Sequence, residues 1–265
     1  MIPSDKKSGP GDPSSQPELA YADPAFLSSD DARPLRIIAE YLGPLQRFHR
    51  AQVRDTIVFF GSARVTPDGP LGRYYTEARE LARLVTLWSK SLSSHMHRYV
   101  VCSGGGGGIM EAANRGASDA GGRTIGLNIS LPHEQHANPY VTRELTFEFH
   151  YFFMRKLWFA HLARALVVFP GGFGTLDELT EILTLVQTNK LERKIPVILY
   201  GSAFWKEVIN FDALVRHGVI SAEDLQLFEF ADDPQNALKM LQHGVQAGPE
   251  EPVPAFARSR CRDSP

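Results

Sequence analysis

Residues 163–178 read ARALVVFPGGFGTLDE, and the fold is decided by how this stretch is read. An unbroken apolar run ends at Phe169, Pro170 and two glycines follow, and a series of apolar residues at helical spacing starts near Thr175. A run this short and continuous reads as a buried strand, and Pro-Gly-Gly reads as the turn that carries it into a helix. The same order recurs along the chain. TIVFFGSA (56–63), YVVCSGG (99–105), TIGLNI (124–129), LTFEF (145–149) and PVILYG (196–201) are further strand candidates. Segments 70–94, 108–121, 151–163, 175–189 and 204–217 have the length and the i, i+3, i+4 apolar spacing of helices. Strands alternating with helices predict an α/β fold, an open parallel sheet covered on both faces. A short strand near 227–230 and a helix near 233–243 complete it.

Outside this pattern, residues 33–53 carry apolar positions at helical spacing and predict an extra N-terminal helix that packs outside the main sheet. Prolines crowd both ends, five of the 18 before residue 30 and four after residue 248. Residues 1–30 and 245–265 therefore read as mobile tails around one domain at 31–244. With 28 basic and 30 acidic residues the formal charge is -2, so composition gives no reason to expect a nucleic-acid or membrane partner. The two cysteines, Cys102 and Cys261, are too few for a disulfide framework and fit a reducing compartment. No stretch has the apolar core of a secretory signal or of a membrane span, which predicts a cytoplasmic protein.

In open parallel sheets the ligand crevice lies beyond the carboxyl ends of the strands. The glycines fall there: Gly61-Ser62-Ala63-Arg64 after the first strand, Ser103 to Gly108 after the second, Pro170 to Thr175 after the fifth. One such loop is most simply a tight turn, but three on one rim present backbone N–H groups at helix N-termini and suit a phosphate-bearing ligand. The kind of ligand follows from spacing. Gly104 and Gly106 begin a GxGxxG, but its sixth position is Ile109 and no acid ends the next strand, so a dinucleotide oxidoreductase is disfavoured. The absence of a Gly-Lys dipeptide removes the P-loop, and the absence of GxSxG removes the usual hydrolase elbow.

Two features around the fifth strand carry chemistry. Thr175-Leu176-Asp177-Glu178 satisfies the capping-box pattern, in which Thr175 and Glu178 would satisfy each other's backbone N–H groups. The alternative is that Glu178 borders the phosphate loop as an ionised carboxylate, favoured by the helix N-terminus. Upstream, Arg155 and Lys156 fall near the start of their predicted helix, where cations oppose the macrodipole. Arg155 would therefore pair with a phosphate or with a carboxylate such as Glu178.

The segment resembles the LOG (lonely guy) family of phosphoribohydrolases, often labelled putative lysine decarboxylase. PGGFGTLDE matches the family's PGGxGTxxE, and Met154-Arg155-Lys156 matches its upstream element; SGGGGGIMEAANRGA and GSAR resemble its other glycine motifs. The resemblance runs from about residue 56 to 201, and SGGGGGIM carries more glycine than the usual motif. It implies a Rossmann-like sheet and hydrolysis of the N-glycosidic bond of nucleoside 5'-monophosphates to free base and ribose 5-phosphate, without a metal or organic cofactor. By the same resemblance Arg155 and Glu178 are the catalytic pair, and Gly171, Gly172, Gly174 and Thr175 bind the phosphate. Gly61, Ser62, Gly104, Gly105, Gly106 and Lys156 complete the nucleotide-binding set, and a homodimer or larger homo-oligomer is expected.

The chemistry is consistent with that assignment. Breaking a ribosyl C–N bond produces an oxocarbenium-like sugar, which a carboxylate stabilises while orienting the attacking water. The rival from another class is a carrier that holds a nucleotide or phosphorylated cofactor on the same rim without cleaving it, and fold alone does not separate the two. Other features read as structural. His95 with His97 and His133 with His136 lack the further ligands of a metal site, and Cys102 reads as a small core residue. Phe152, Phe153, Trp158 and Phe159 read as core or subunit interface, with contact to a base as a lesser alternative. Lys190 lacks the surroundings of a Schiff-base lysine.

Overall fold

The computed structural model describes residues 19–92, 94–130, 136–191 and 195–246. The chain divides into two compact units, Met1–Leu42 and Gly43–Pro265. The division falls inside a helix.

In the first unit a short helix, α1 (Pro24–Ser28), lies within the segment expected to be a tail. Asp23 explains it, because its carboxylate accepts from the N–H groups of Ala25 and Phe26. The next helix, α2 (Arg33–Arg50), is the predicted N-terminal helix and ends three residues early. Arg36 on α2 donates to the carbonyls of Leu27 and Ser29 and so ties α1 to it. The outermost residues of both expected tails, 1–18 and 247–265, lie outside the described residues.

The second unit is built on β1 (Thr56–Phe60), β2 (Val100–Ser103), β3 (Thr124–Ile129), β4 (Thr146–Phe149), β5 (Ala163–Val168), β6 (Val197–Tyr200) and β7 (Glu229–Ala231). Every pairing is parallel, and the order is β4-β3-β2-β1-β5-β6-β7. The α/β Rossmann-like class read from sequence is the observed one. Helices α3 (Gly72–Ser91), α4 (Ile109–Asp119), α5 (Phe152–Leu162), α6 (Phe173–Gln187) and α9 (Pro234–Gln246) accompany the strands. One predicted helix, 204–217, is two: α7 (Ser202–Val208) and α8 (Phe211–Arg216). The break is chemical, since Asn210 turns its side chain to accept from Ala213 N and starts a new helix.

Both faces of the sheet are covered because the central strands are apolar throughout. All five residues of β1 are buried, and alternate side chains go to opposite faces. Ile57 and Phe59 join Leu81 and Val85 of α3, Ala112 of α4 and Leu241 of α9 in one core. Phe60, on the other face, meets Phe159 of α5 edge-on at 4.9 Å between ring centroids. On that face the second half of α2 brings Phe48 against Phe147 and Trp158.

At the amino edge the buried carboxylate of Asp55 accepts from Tyr99 N at 2.6 Å and lies 3.6 Å from the guanidinium Nε atoms of both Arg98 and Arg164. It thereby pins the starts of β1, β2 and β5. Among the described residues no helix is long and apolar enough to cross a membrane.

Candidate active site

The order of strands locates the crevice. Successive connections run from β1 through β2 and β3 to β4 on one side, and β5 to β7 continue on the other side of β1. The switch point lies between β1 and β5, where such sheets bind ligands. The loops leaving those two strands are Gly61–Arg64 and Pro170–Gly172, and the glycine run after β2 adjoins them. Backbone hydrogen bonds join the three: Ser62 N donates to Pro170 O at 3.0 Å, and Ile109 N donates to Ser62 O at 3.1 Å.

Close approach explains why these positions are glycine. A Cβ on Gly61 would strike Ile109, and one on Gly108, whose φ is +62°, would strike Ser62 O. Gly104, Gly105 and Gly106 are buried behind the rim, while Gly61 and Ser62 are half-buried. Gly171 packs so tightly over Thr175 that a Cβ there would collide with Thr175 Oγ1. Gly172 and Gly174 are exposed, with open space where a side chain would be.

The capping-box reading of Thr175 and Glu178 is not what forms. Helix α6 begins at Phe173 with Gly172 in the cap position and no side-chain cap, and Leu176 N closes the first turn on Gly172 O. Thr175 is turned inward, 5% exposed, and Glu178 belongs to the second turn. The carboxylate is thus released from capping, and the N–H groups of the first turn meet no side chain from the cap residue.

Glu178 reaches instead across to α5, where Arg155 Nη2 donates to its Oε1 at 2.7 Å. The side chains are 12% and 13% exposed, so this is an enclosed ion pair. The rings of Phe152 and Phe159 each stand 5.5 Å from the guanidinium carbon. Arg155 Nε is buried with no hydrogen-bond partner among the described residues. Burial pushes the Glu178 carboxyl up to about 7, with Arg155 and Lys156 pulling it down and Asp177 and Glu181 pushing it further up. Desolvation here outweighs the cation.

Lys156, the next residue on α5, also faces α6. Its ammonium lies 2.7 Å from Asp177 and 2.9 Å from Glu181, so it serves acids on α6. Two neighbouring cations on α5 therefore meet three acids on α6, Arg155 taking Glu178 and Lys156 taking Asp177 and Glu181.

The remaining candidates stay apart from this site. Cys102 is fully buried in β2 and its thiol is pushed far above its ordinary value. Lys190 is exposed beyond the end of α6. His95 and His97 are exposed, His133 lies outside the described residues, and among those residues no group of three His, Cys, Asp or Glu could hold a metal. Sequence reading missed Asn114 and Asn138, both buried behind the glycine run. Asn114 carried a visible signal: it is a polar residue set among Ile109, Ala112, Ala113, Gly116 and Ala117 on the buried stripe of α4.

Comparison with known proteins agrees with this geometry. Residues 110–241 match the family model described as "Possible lysine decarboxylase". Among curated proteins, the probable cytokinin riboside 5'-monophosphate phosphoribohydrolase LOG4 of Oryza sativa subsp. japonica is 28% identical over 195 residues, 72% of this chain and 78% of that protein. The cytokinin riboside 5'-monophosphate phosphoribohydrolase LOG of the same plant is 29% identical over 199 residues, 74% of this chain and 76% of that protein. Among solved structures, a structural-genomics protein aligns at a TM-score of 0.51 and 22% identity, over 71% of this chain and 99% of the other. The molybdenum cofactor binding protein from Rippkaea orientalis aligns at 0.50 and 21%, over 72% and 97%. At such identities the structural likenesses show a shared fold. With the glycine rim, the Arg155–Glu178 pair and the sequence relatives all in agreement, the chain is similar to the LOG phosphoribohydrolases and, over residues 110–241, to the family whose model bears the lysine-decarboxylase description.

Proposed function

We propose that the protein hydrolyses the N-glycosidic bond of nucleoside 5'-monophosphates, cytokinin ribotides or AMP-like nucleotides, to free base and ribose 5-phosphate. One observation carries the reading: a buried Arg155–Glu178 pair beside the glycine-capped N-terminus of α6. A glycine-capped helix end suits the 5'-phosphate, through the N–H groups that follow Gly171 and Gly172 and include those of Gly174 and Thr175. Phosphate binding there places the sugar and supplies remote binding energy. The ionised Glu178 takes a proton from water as its oxygen attacks C1' of the ribose. The C–N bond breaks with its electron pair leaving on the base, the carboxylate stabilises the cationic sugar in passing, and the departing base takes up a proton as Glu178 gives up the one it took from water. The buried Nε of Arg155 is a donor that a substrate oxygen would satisfy. The names of the curated relatives support the substrate class.

The same reading makes the protein a homodimer or larger assembly. Phe152, Phe153 and Leu157 of α5 are exposed, and Phe173 in the phosphate loop is 93% exposed, an apolar surface suited to a second copy. Light scattering on the purified chain tests this.

The activity is tested by chromatography of free base and ribose 5-phosphate after incubation with AMP, GMP, CMP, UMP and isopentenyladenine ribotide. Release from at least one, lost in Glu178→Gln, is the expected result. Binding without release from any of the five would replace the hydrolase with the carrier reading. Equal turnover of nucleosides and their monophosphates would refute the phosphate clamp.

A further inference from the structure

Behind the glycine run lies a chain of buried amides and hydroxyls whose members satisfy one another. Asn114, fully buried on α4, accepts at Oδ1 from Ser103 Oγ at 2.8 Å and from Asn138 Nδ2 at 2.9 Å. Its own Nδ2 donates to Thr124 Oγ1 and to Ile125 O. Ser103 Oγ accepts from Gly105 N at 3.1 Å. Asn138, 8% exposed, completes the chain: Nδ2 lies 3.0 Å from Gly105 O and 2.9 Å from Gly106 O, and its backbone N donates to Gly105 O at 2.7 Å.

Both carbonyls are therefore drawn inward toward Asn138. A trans peptide sets its C=O and N–H on opposite sides, and among the described residues there is no cis peptide bond. The N–H groups of Gly106 and Gly107 are accordingly turned away from Asn138. On the outer side of the loop lies Gly61–Arg64: a Cβ on Gly107 would meet Ala63 O at 3.5 Å. Successive N–H groups on one side, with Gly105 at φ +73° and Gly108 at φ +62°, make a concavity for acceptor oxygens.

We infer that Asn138 is a positioning residue of the crevice: by holding the Gly105 and Gly106 carbonyls it aims the Gly106 and Gly107 N–H groups at the oxygens of a bound ribose 5-phosphate moiety. The inference rests on the nucleotide reading above and adds to it a residue from outside the glycine motifs.

The test measures ribose 5-phosphate binding by calorimetry and KM and kcat for the cleaved nucleotide, in wild type, Asn138→Ala and Asn138→Asp. Asn138→Ala is expected to raise Kd for ribose 5-phosphate about tenfold, as for the loss of one to two hydrogen bonds. Asn138→Asp, which sets a carboxylate against the two carbonyls, is expected to raise it further. KM should rise more than kcat falls, because the Arg155–Glu178 pair is untouched. Circular dichroism and thermal melts report folding. A lower melting temperature with unchanged Kd in the folded variants would make Asn138 merely structural and overturn the proposal, as would loss of fold in Asn138→Ala. Failure of the wild type to bind ribose 5-phosphate would overturn it as well. Binding that depends on Asn138 without base release by wild type would uphold it and overturn only the hydrolase reading.

Discussion

Replacing Glu178 by Gln should make the protein less sensitive to alkaline pH, although it removes an ion pair. Burial lifts the Glu178 carboxyl from an ordinary value near 4.5 to about 7. A carboxyl whose folded-state pKa is raised favours the folded state while it is protonated. That contribution is complete below about 4.5 and is lost as pH rises through about 7. The difference corresponds to about 3 kcal/mol between the ends of the window. Glutamine does not titrate, so the stability of Glu178→Gln minus that of wild type should grow by about 3 kcal/mol from pH 4.5 to pH 8.5. Any constant effect of the substitution, including an Arg155 left without its anion, cancels in that comparison. Urea denaturation of both proteins at intervals across the window measures it, with the slope of each transition checked for two-state behaviour. The activity carries the matching signature: if the ionised form is the catalyst, kcat/KM rises with pH through about 7. A stability difference that stays flat, or that shrinks as pH rises, would refute the reasoning. Arg155 would then outweigh burial, and Glu178 would be an ordinary ionised carboxylate.

Lys156→Met should shift the same activity limb to higher pH, since Asp177 and Glu181 lose the cation that balances them beside Glu178. Arg155→Met should shift it further and lower kcat as well; a pH–rate series of both variants checks the order. Gly171→Ala places a Cβ against Thr175 and should cost about 1–3 kcal/mol of overpacking, read as a roughly 10- to 100-fold rise in KM for the 5'-monophosphate. In a Cys261→Ser background, Cys102 should resist thiol reagents in the folded protein at pH 8 and react only on unfolding, because burial keeps its thiol protonated. Mass spectrometry after timed alkylation, with and without urea, reads this directly.

The strands were legible because buried parallel strands are written as short apolar-rich runs, alternating only at the edge strand β4, and each segment quoted from the sequence holds a strand. Helix ends were less legible. The predicted start of α6 at Thr175 followed a side-chain pattern, but the backbone of Gly172 takes the cap position and Thr175 turns under Gly171. In 204–217 the apolar spacing runs on through Asn210, whose side chain nevertheless bonds its own backbone and divides the helix. Arg155 and Glu178 could be named from sequence, and their pairing was one of two partners foreseen for Arg155. The protonation balance of Glu178 could not be named, because it depends on how completely two helices close over the carboxyl. Asn138 was beyond reach for a similar reason: its meaning lies in carbonyls 32 and 33 residues away.

The helix caps show where the protein leaves its backbone unserved. Asp23 caps α1, Asn210 caps α8, Asp233 accepts from Asn236 N in the first turn of α9, and Asp232 accepts from Ser202 N at the start of α7. Helices α3, α4, α5 and α6 begin after β1, β2, β4 and β5, and at none of their cap positions does a side chain cap the helix. A side-chain cap contributes about 0.5–2 kcal/mol, so four such omissions along one edge of the sheet give up appreciable stability. In α4 and α6 the cap position is glycine, and at Gly172 of α6 the space where a side chain would stand is open. The stability missing at that edge is what an anionic ligand would supply on binding. Ligand binding should therefore raise the melting temperature in proportion to its occupancy of those helix ends. Ribose 5-phosphate should stabilise the protein more than ribose does, and an equal effect of the two sugars would show that the uncapped helix ends do not hold the phosphate.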